Sequence, residues 1–365
     1  MRRNAMLLET VEQSGAVPNA ETATAPPHAT IVRLLFGKHV AYSVSAMARL
    51  GLADYMGDLP VDVETLARQV GVQPGALYRV MRVLAGARVL EETSDRKFRL
   101  TSVGQTLRSD APVCMRHTAI QMGDPWSTRP WEHFADTIRT GIDGVTQAFG
   151  KNAFELLAGE PEQADHFNRS MSGYSAAMIE AILAAYDFNS INRLADVGGG
   201  HGKLLSAVLD QNSTMTGVVY DLPEVVAGAP GQEHLRGCAY RISFEAGSFF
   251  ERVPSGCDAY MMKFILHDWS DEHCKAILRC IREQLPANGR VLVIEQIVNE
   301  APGLSFAKLL DLEMLALTVG GRERTEAEFA ELFACAGLKL ARVYPTESPV
   351  CILEARPSTE VRCIH

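Results

Sequence analysis

From residue 193 onward, short apolar runs alternate with amphipathic stretches. Leu194–Val197, Val218–Asp221, Ala239–Phe244, Asp258–Phe264 and Val291–Glu295 read as strands, with helical stretches between most of them. That alternation builds a parallel sheet with helices on both faces. The helix after the fourth strand is sharply bounded. Ser270 is an N-cap, Asp271 and Glu272 suit the positive end, Cys274, Ile277, Leu278, Ile281 and Leu285 form one apolar face, and Pro286–Gly289 stops it. Two later runs, Leu338–Val343 and Val350–Glu354, are separated by only six residues. A parallel crossover needs about a dozen or more, so these two pair as an antiparallel hairpin.

The N-terminal half carries a helical pattern instead. From Ile31 to Met56, Leu34, Leu35, Val44, Met47, Ala48, Leu50, Leu52 and Tyr55 supply one or two stripes for burial, punctuated by Gly51 and Gly57. Val61–Thr101 then reads as a helix (Val63–Val70), a turn, a second helix (Ala76–Ala87) and two short strands (Val89–Glu92, Lys97–Leu100) joined at Ser94-Asp95-Arg96. Helix, turn, helix and wing is a winged-helix arrangement, whose functional reading is DNA binding. The second helix offers only Arg79 and Arg82 as exposed cations, which is thin for a recognition helix and favours a structural or dimerisation role. Residues 102–190 read as further helices. Trp126, Trp131, Phe167, Met171 and Tyr174 are large apolar groups there beside polar ones, the kind of residue that lines pockets, as does the stretch Asp311–Thr318 with Met314.

Composition narrows the class. The chain has 365 residues, 47% hydrophobic and 22% charged, with a net charge of −9, which suits a globular protein and not a nucleic-acid neutraliser. Partners are expected to be small molecules or protein surfaces, with no nucleic acid and no membrane. Eight cysteines occur without a CxxC pair, so neither a zinc site nor a disulfide framework is expected, and no metal is called. Cys274 and Cys335 read as buried thiols. No apolar run approaches the ~20 residues of a bilayer span, and MRRNAMLLETVEQSG lacks the apolar core of a secretory signal, so the expected location is the cytoplasm.

Candidate chemistry centres on Leu194–Leu205, LADVGGGHGKLL, an apolar strand running into a turn with four glycines in five positions. Glycines let the backbone turn at φ > 0 and let a ligand approach the main chain. The dinucleotide fingerprint G-x-G-x-x-G wants a third glycine where Lys203 stands. What fits is D-x-G-x-G-x-G from Asp196 to Gly202. An acid at the strand end repels pyrophosphate but suits a ligand bearing an ammonium group, as S-adenosylmethionine does. Asp221 closes the second strand, 23 residues after Gly198, where a carboxylate can accept both ribose hydroxyls.

With LADVGGGHGKLL, VVYDLPEVV, MMKFILHDWSDE, VLVIEQIV and GGRERTEAEF in that order, the chain resembles the S-adenosylmethionine-dependent O-methyltransferases of small aromatic molecules, known from plant phenylpropanoid and bacterial antibiotic and phenazine pathways. The resemblance covers nearly everything from about residue 30 onward. It implies an α/β fold: a class I methyltransferase, with a Rossmann-like sheet and an antiparallel last strand, plus an N-terminal α-helical winged-helix domain that serves homodimerisation. It implies His267 as catalytic base, Asp268 at the substrate, Lys263 at the cofactor, and Glu295 and Glu323 as acids flanking the histidine. Asp196, Gly198, Gly200, Asp221, Leu222, Ser248, Phe249 and Lys263 make up the expected cofactor site. Ser248 departs from the family's G-D-M-F, which puts an adenosyl contact in question, while Phe249 can still cover an adenine face. The expected division is a flexible arm at 1–28, the dimerisation domain at 29–110, a helical linker contributing to a substrate pocket at 111–190, the catalytic domain at 191–357 and a tail at 358–365.

The chemistry also follows without the family. Methyl transfer is an in-line displacement at an activated carbon, so alignment contributes most, about 7–11 kcal/mol; a general base adds ~10²–10⁴-fold. A histidine near its ordinary pKa of about 6.5 is largely neutral at pH 7 and ready to accept a proton. A carboxylate on its other nitrogen fixes the tautomer, a role open to Glu295 or Glu323; Glu323 lies in a loop and could equally be solvated. Two other readings stay open: a homologue that keeps the cofactor structurally for decarboxylation or hydroxylation, and a small-molecule-sensing DNA-binding regulator.

Overall fold

The computed structural model describes residues 26–93, 96–229, 231–299 and 301–358. Most of the expected arm, most of the tail and the Ser94-Asp95 turn lie outside the described residues. The described chain gathers into two compact units, one of residues 26–128 with Leu157–Tyr174, the other of Arg129–Leu156 with residues 175–358. The segment 111–190 is thus shared between them, with 111–128 and 157–174 in the first and 129–156 and 175–190 in the second.

In the first unit, Pro27–Arg49 is a helix, followed by β1 (Val61–Asp62), the helices Val63–Val70 and Pro74–Gly86, and the hairpin β2 (Leu90–Glu92) and β3 (Lys97–Leu100). Local chemistry sets the boundaries. The Asp62 carboxylate accepts the Thr65 N–H at 2.8 Å, Gly71 ends that helix at φ +77°, and Gln73 caps the next, whose first residue is Pro74. Met47, Leu52, Leu66, Met81, Leu84 and Phe98 fill the core. β1 escapes sequence reading because two residues show no period; it pairs with β3, Val61 opposite Phe98. The stripe expected on the first helix is corrected: Leu34, Leu35, Leu50 and Tyr55 are exposed. Ile31, Val32, Leu34, Leu35 and Phe36 are nearly consecutive, so at 3.6 residues per turn they circle the helix, and only Ser45, Met47 and Ala48 reach the core.

The second unit holds a seven-stranded sheet of β4 (Arg193–Val197), β5 (Thr216–Asp221), β6 (Ile242–Ala246), β7 (Ala259–Lys263), β8 (Arg290–Glu295), β9 (Leu338–Pro345) and β10 (Cys351–Pro357), in the order β6-β5-β4-β7-β8-β10-β9. β4 to β8 are parallel; β10 runs antiparallel to both β8 and β9. The third parallel strand starts three residues later than its apolar run suggests. The Arg241 N–H closes a turn on Cys238, and its guanidinium holds the carbonyls of Leu209, Asn212 and Met215, which keeps the preceding segment out of the ladder. Strand order reverses at β4, and ligands of open α/β sheets bind where it does, beyond the carboxyl ends of the strands. Asp196, Asp221, Lys263 and Glu295 all lie at those ends of β4, β5, β7 and β8.

Candidate active site

The loop after β4 turns through left-handed backbone at Gly198 (φ +69°) and Gly200 (φ +57°), which any other residue would strain. The Gly200 N–H donates to one oxygen of Asp221 at 2.8 Å and the Leu222 N–H to the other at 2.7 Å, so the loop and the end of β5 are tied together through one carboxylate. Burial pushes the Asp221 carboxyl up from its ordinary value, opposed by those two N–H donors. A Cβ on Gly200 would meet no atom within 4 Å, so the main chain there is open to an incoming molecule.

Other cofactor candidates fall in different positions. Asp196 is buried under the loop, its carboxyl where a Cβ on Gly199 would sit, and burial lifts it to about 7 against the pull of Lys263. Burial draws the Lys263 ammonium down to about 8 while Asp196, Glu295 and Asp268 hold it up. Leu222 is exposed. The Ser248 hydroxyl turns back to accept the Phe250 N–H at 3.3 Å, so it is occupied with its own turn. Phe249 packs edge-on to Phe250 and Trp269, and Trp269 stacks on Phe154 at 5.4 Å. An adenosyl group suits this set: open main chain at Gly200, a strand-end carboxylate for hydroxyl donors, and the aromatic ring of Phe249 beside them.

The histidine sits on a 3₁₀ turn, Leu266–Asp268, just beyond β7. Phe264 enters that turn at φ +55°, and its ring stacks on His267 at 5.2 Å. The carboxylate Oε1 of Glu295 accepts the N–H groups of Ile265, Leu266 and His267 at 3.1, 2.6 and 3.3 Å. Glu323 takes the ring: His267 Nδ1 is 2.7 Å from its Oε1, and since a carboxylate only accepts, Nδ1 carries the proton. The other nitrogen, Nε2, lies 3.5 Å from Asp268 Oδ1. The two acids therefore divide the work, Glu323 orienting the imidazole and Glu295 holding the backbone beneath it. Glu323 is no solvated loop residue; it is 4% exposed, and its N–H donates to Asp311 on the helix Phe306–Leu317.

The expected neutral imidazole is corrected as well. Burial alone would lower its pKa, but Asp268, Glu323 and Glu295 outweigh burial and push it up to about 10. Burial in turn raises the Asp268 carboxyl to about 6 and that of Glu295 to about 7. One ligand atom each from His267, Glu295 and Glu323 lies within 4.8 Å of the others. Within the trio the Nδ1 to Glu323 contact is a hydrogen bond and Glu295 Oε1 accepts three N–H groups, while Glu295 Oε2 and Glu323 Oε2 are buried without a hydrogen-bond partner.

The residues expected to line a substrate pocket divide between the units. Trp131 (38% exposed, against Phe134) and buried Met314 belong to the second; Phe167, edge-on to Trp126, and Met171 belong to the first. Sequence reading gave no role to Phe264, Trp269 or Arg324, although all three lie inside the motifs MMKFILHDWSDE and GGRERTEAEF, and it named Asp311 only as the start of a pocket-lining stretch, not as the acceptor of the Glu323 N–H.

Residues 131–339 match the O-methyltransferase domain family, and residues 32–110 match the O-methyltransferase dimerisation domain. The phenazine O-methyltransferase PhzM of Lysobacter antibioticus is 36% identical over 93% of this chain and 99% of its own length. The O-demethylpuromycin-O-methyltransferase of Streptomyces alboniger is 36% identical over 90% of this chain and 88% of its own. Among solved structures, LaPhzM superposes with a TM-score of 0.87 at 36% identity, covering 91% of this chain and 100% of that one. CalO1 of calicheamicin biosynthesis, solved with SAH bound, gives 0.79 at 34% identity over 92% and 100%. Matches of this extent, across a catalytic and a dimerisation region alike, make the chain a member of the S-adenosylmethionine-dependent O-methyltransferases, of the antibiotic and phenazine type.

Proposed function

We propose that this enzyme methylates a hydroxyl, phenolic or N-hydroxy, of a small aromatic or heteroaromatic secondary metabolite, with His267 as general base. The observation that carries the reading is the commitment of Nδ1 to Glu323, which leaves Nε2 as the nitrogen that takes a proton. S-adenosylmethionine, when bound, supplies a methyl group activated on a positively charged sulfur. Asp221, Gly198, Gly200, Leu222, Phe249 and Lys263 are the residues assigned to hold it. His267 receives the acceptor proton at Nε2, Nδ1–H stays on Glu323, and Asp268, Glu323 and Glu295 balance the imidazolium that results. Asp268, facing Nε2, is assigned to steer the acceptor hydroxyl toward that nitrogen. The two-copy state is supported by the dimerisation region and by the uncovered apolar residues Ile31, Val32, Leu34, Leu35 and Phe36 on its first helix.

A panel of phenols, catechols, anthracyclines and phenazines, including N-hydroxy forms and an aromatic amine, incubated with S-adenosylmethionine and read by mass spectrometry, tests the reading. Methylation of the amine alone would overturn the assignment to oxygen. The raised pKa of His267 sets an expectation for pH. In the free enzyme the base form grows as pH rises, so kcat/KM is expected to climb from about pH 7 toward about pH 10. A bound cation near the ring lowers its pKa, so the rise in kcat is expected at lower pH than that in kcat/KM. A kcat/KM that is flat over this range would remove His267 as the titrating base.

Asp221→Ala is expected to weaken S-adenosylmethionine binding by about tenfold or more, because it removes both a carboxylate acceptor and the tie that holds the Gly200 N–H. Titration calorimetry checks this, and an unaltered affinity would refute the ribose assignment.

A further inference from the structure

Arg324 is fully buried, and every hydrogen on its guanidinium is engaged. Nη1 donates to the carbonyl of Leu266 at 2.7 Å and to that of Arg322 at 3.3 Å. Nη2 donates to the carbonyl of Trp269 at 2.8 Å, and Nη2 and Nε both reach Asp271 Oδ1, at 2.8 and 3.0 Å. Leu266 and Trp269 bracket His267 and Asp268. The guanidinium therefore grips the carbonyl side of the 3₁₀ turn that bears the histidine, while Glu295 grips its N–H side. A carboxylate at the amide end and a cation at the carbonyl end both match the dipole of the turn.

The same segment holds the ring. Glu323, the preceding residue, orients the imidazole, and the Arg322 N–H donates to the His267 carbonyl at 2.8 Å. The segment is itself anchored: Arg324 bridges Ile297 just past β8, and its carbonyl accepts the Val298 N–H at 2.9 Å. Phe264 adds a reason for the clamp. Its left-handed backbone is strained for a side chain of that size, and such strain persists only where the surroundings over-determine it.

From this geometry we infer that Arg324 is a positioning residue for the reaction, fixing the backbone of His267 and Asp268 so that Glu323 can aim the ring. The inference rests on His267 being the base. Arg324 is buried and its guanidinium is taken up by protein partners, so it acts through the turn. A planar five-donor fork meets three carbonyls and a carboxylate at once, which a lysine ammonium does not.

The test is Arg324→Lys in the full-length enzyme, with kcat, both KM values, S-adenosylmethionine affinity by calorimetry and the pH profile of kcat. An ångström of misplacement in a catalytic group can cost about 10²-fold, so kcat is expected to fall by about 10- to 100-fold with a displaced pH profile. The donor affinity stays near wild type, because the glycine loop and Asp221 do not depend on Arg324. A folded variant with wild-type kcat and pH profile overturns the inference. The double variant with His267→Ala separates this from the underlying reading. If Arg324 acts through His267, the double variant is no slower than His267→Ala alone; additive losses overturn the inference. Unchanged turnover in His267→Ala itself overturns the general-base reading instead. Should Arg324→Lys not fold, Asp271→Asn decides, since it removes the carboxylate that holds the fork in place from a half-exposed position. A several-fold loss in kcat with a shifted pH profile supports the clamp, and an unchanged kcat and profile overturn it.

Discussion

His267→Ala is expected to slow methyl transfer to a phenolic acceptor by about 10²–10⁴-fold, or about 3–5 kcal/mol of barrier, with S-adenosylmethionine affinity changed by no more than about twofold. The lower bound reflects what remains: alignment, the larger contribution, does not depend on the imidazole. The size of the loss is expected to follow the acidity of the acceptor. A phenol near pKa 10 depends on the base, whereas an acidic N-hydroxyl ionises with less help, so its loss shrinks. One side effect has to be separated from catalysis. Removing the ring leaves Glu323 Oε1 buried beside no proton donor, and an unsatisfied buried group costs about 1–3 kcal/mol of stability. His267→Gln is the better-folded companion, because its amide can still donate to Glu323 while being useless as a base. Both variants are expected to lose turnover alike, and only the alanine variant is expected to lose thermal stability. Turnover near wild type in either would remove His267 as base.

The parts of this site that were legible in the sequence are those encoded by neighbours. The apolar strand into Gly198–Gly202, the carboxylate ending β5, and the six-residue gap forcing an antiparallel hairpin are all local patterns, and each stands where it was read. What periodicity does not carry lies between distant positions: His267 and Glu323 are 56 residues apart, and only the family resemblance, not the pattern of either segment, places the acid beside the histidine. The electrostatics are not legible either: a histidine taken alone has an ordinary pKa, whereas Asp268 beside it in the chain and Glu323 and Glu295 from distant segments together push the buried ring up. Likewise the first helix is apolar without being one-sided, so its sequence names residues to cover but not what covers them.

Gly321→Ala is expected to reduce kcat by about 10²-fold through the backbone alone, although Gly321 bears no chemistry. Its φ is not in the left-handed region, so the difficulty is space and not strain. A Cβ there would stand 2.1 Å from Thr318 Oγ1, 2.5 Å from the His267 carbonyl oxygen and 2.8 Å from the Asp268 carbonyl carbon. The threonine hydroxyl can rotate away, losing its bond to the Met314 carbonyl. The other two atoms are backbone of the catalytic turn, gripped by Glu295 on one side and Arg324 on the other. Either the turn shifts by a large fraction of an ångström, carrying Nε2 with it, or residues 318–322 withdraw and loosen the Arg322 N–H bond to the His267 carbonyl. Both outcomes misplace the base, and overpacking of this kind adds about 1–3 kcal/mol of destabilisation. Gly86→Ala is the control: it closes the helix Pro74–Gly86, no atom lies within 4 Å of its Cβ, and it is expected to leave kcat unchanged and raise stability by up to about 1 kcal/mol. Steady-state kinetics and thermal melts of the two variants side by side decide the matter. If Gly321→Ala turned over like wild type, the close approach of the GGRERT loop would have no bearing on where His267 stands.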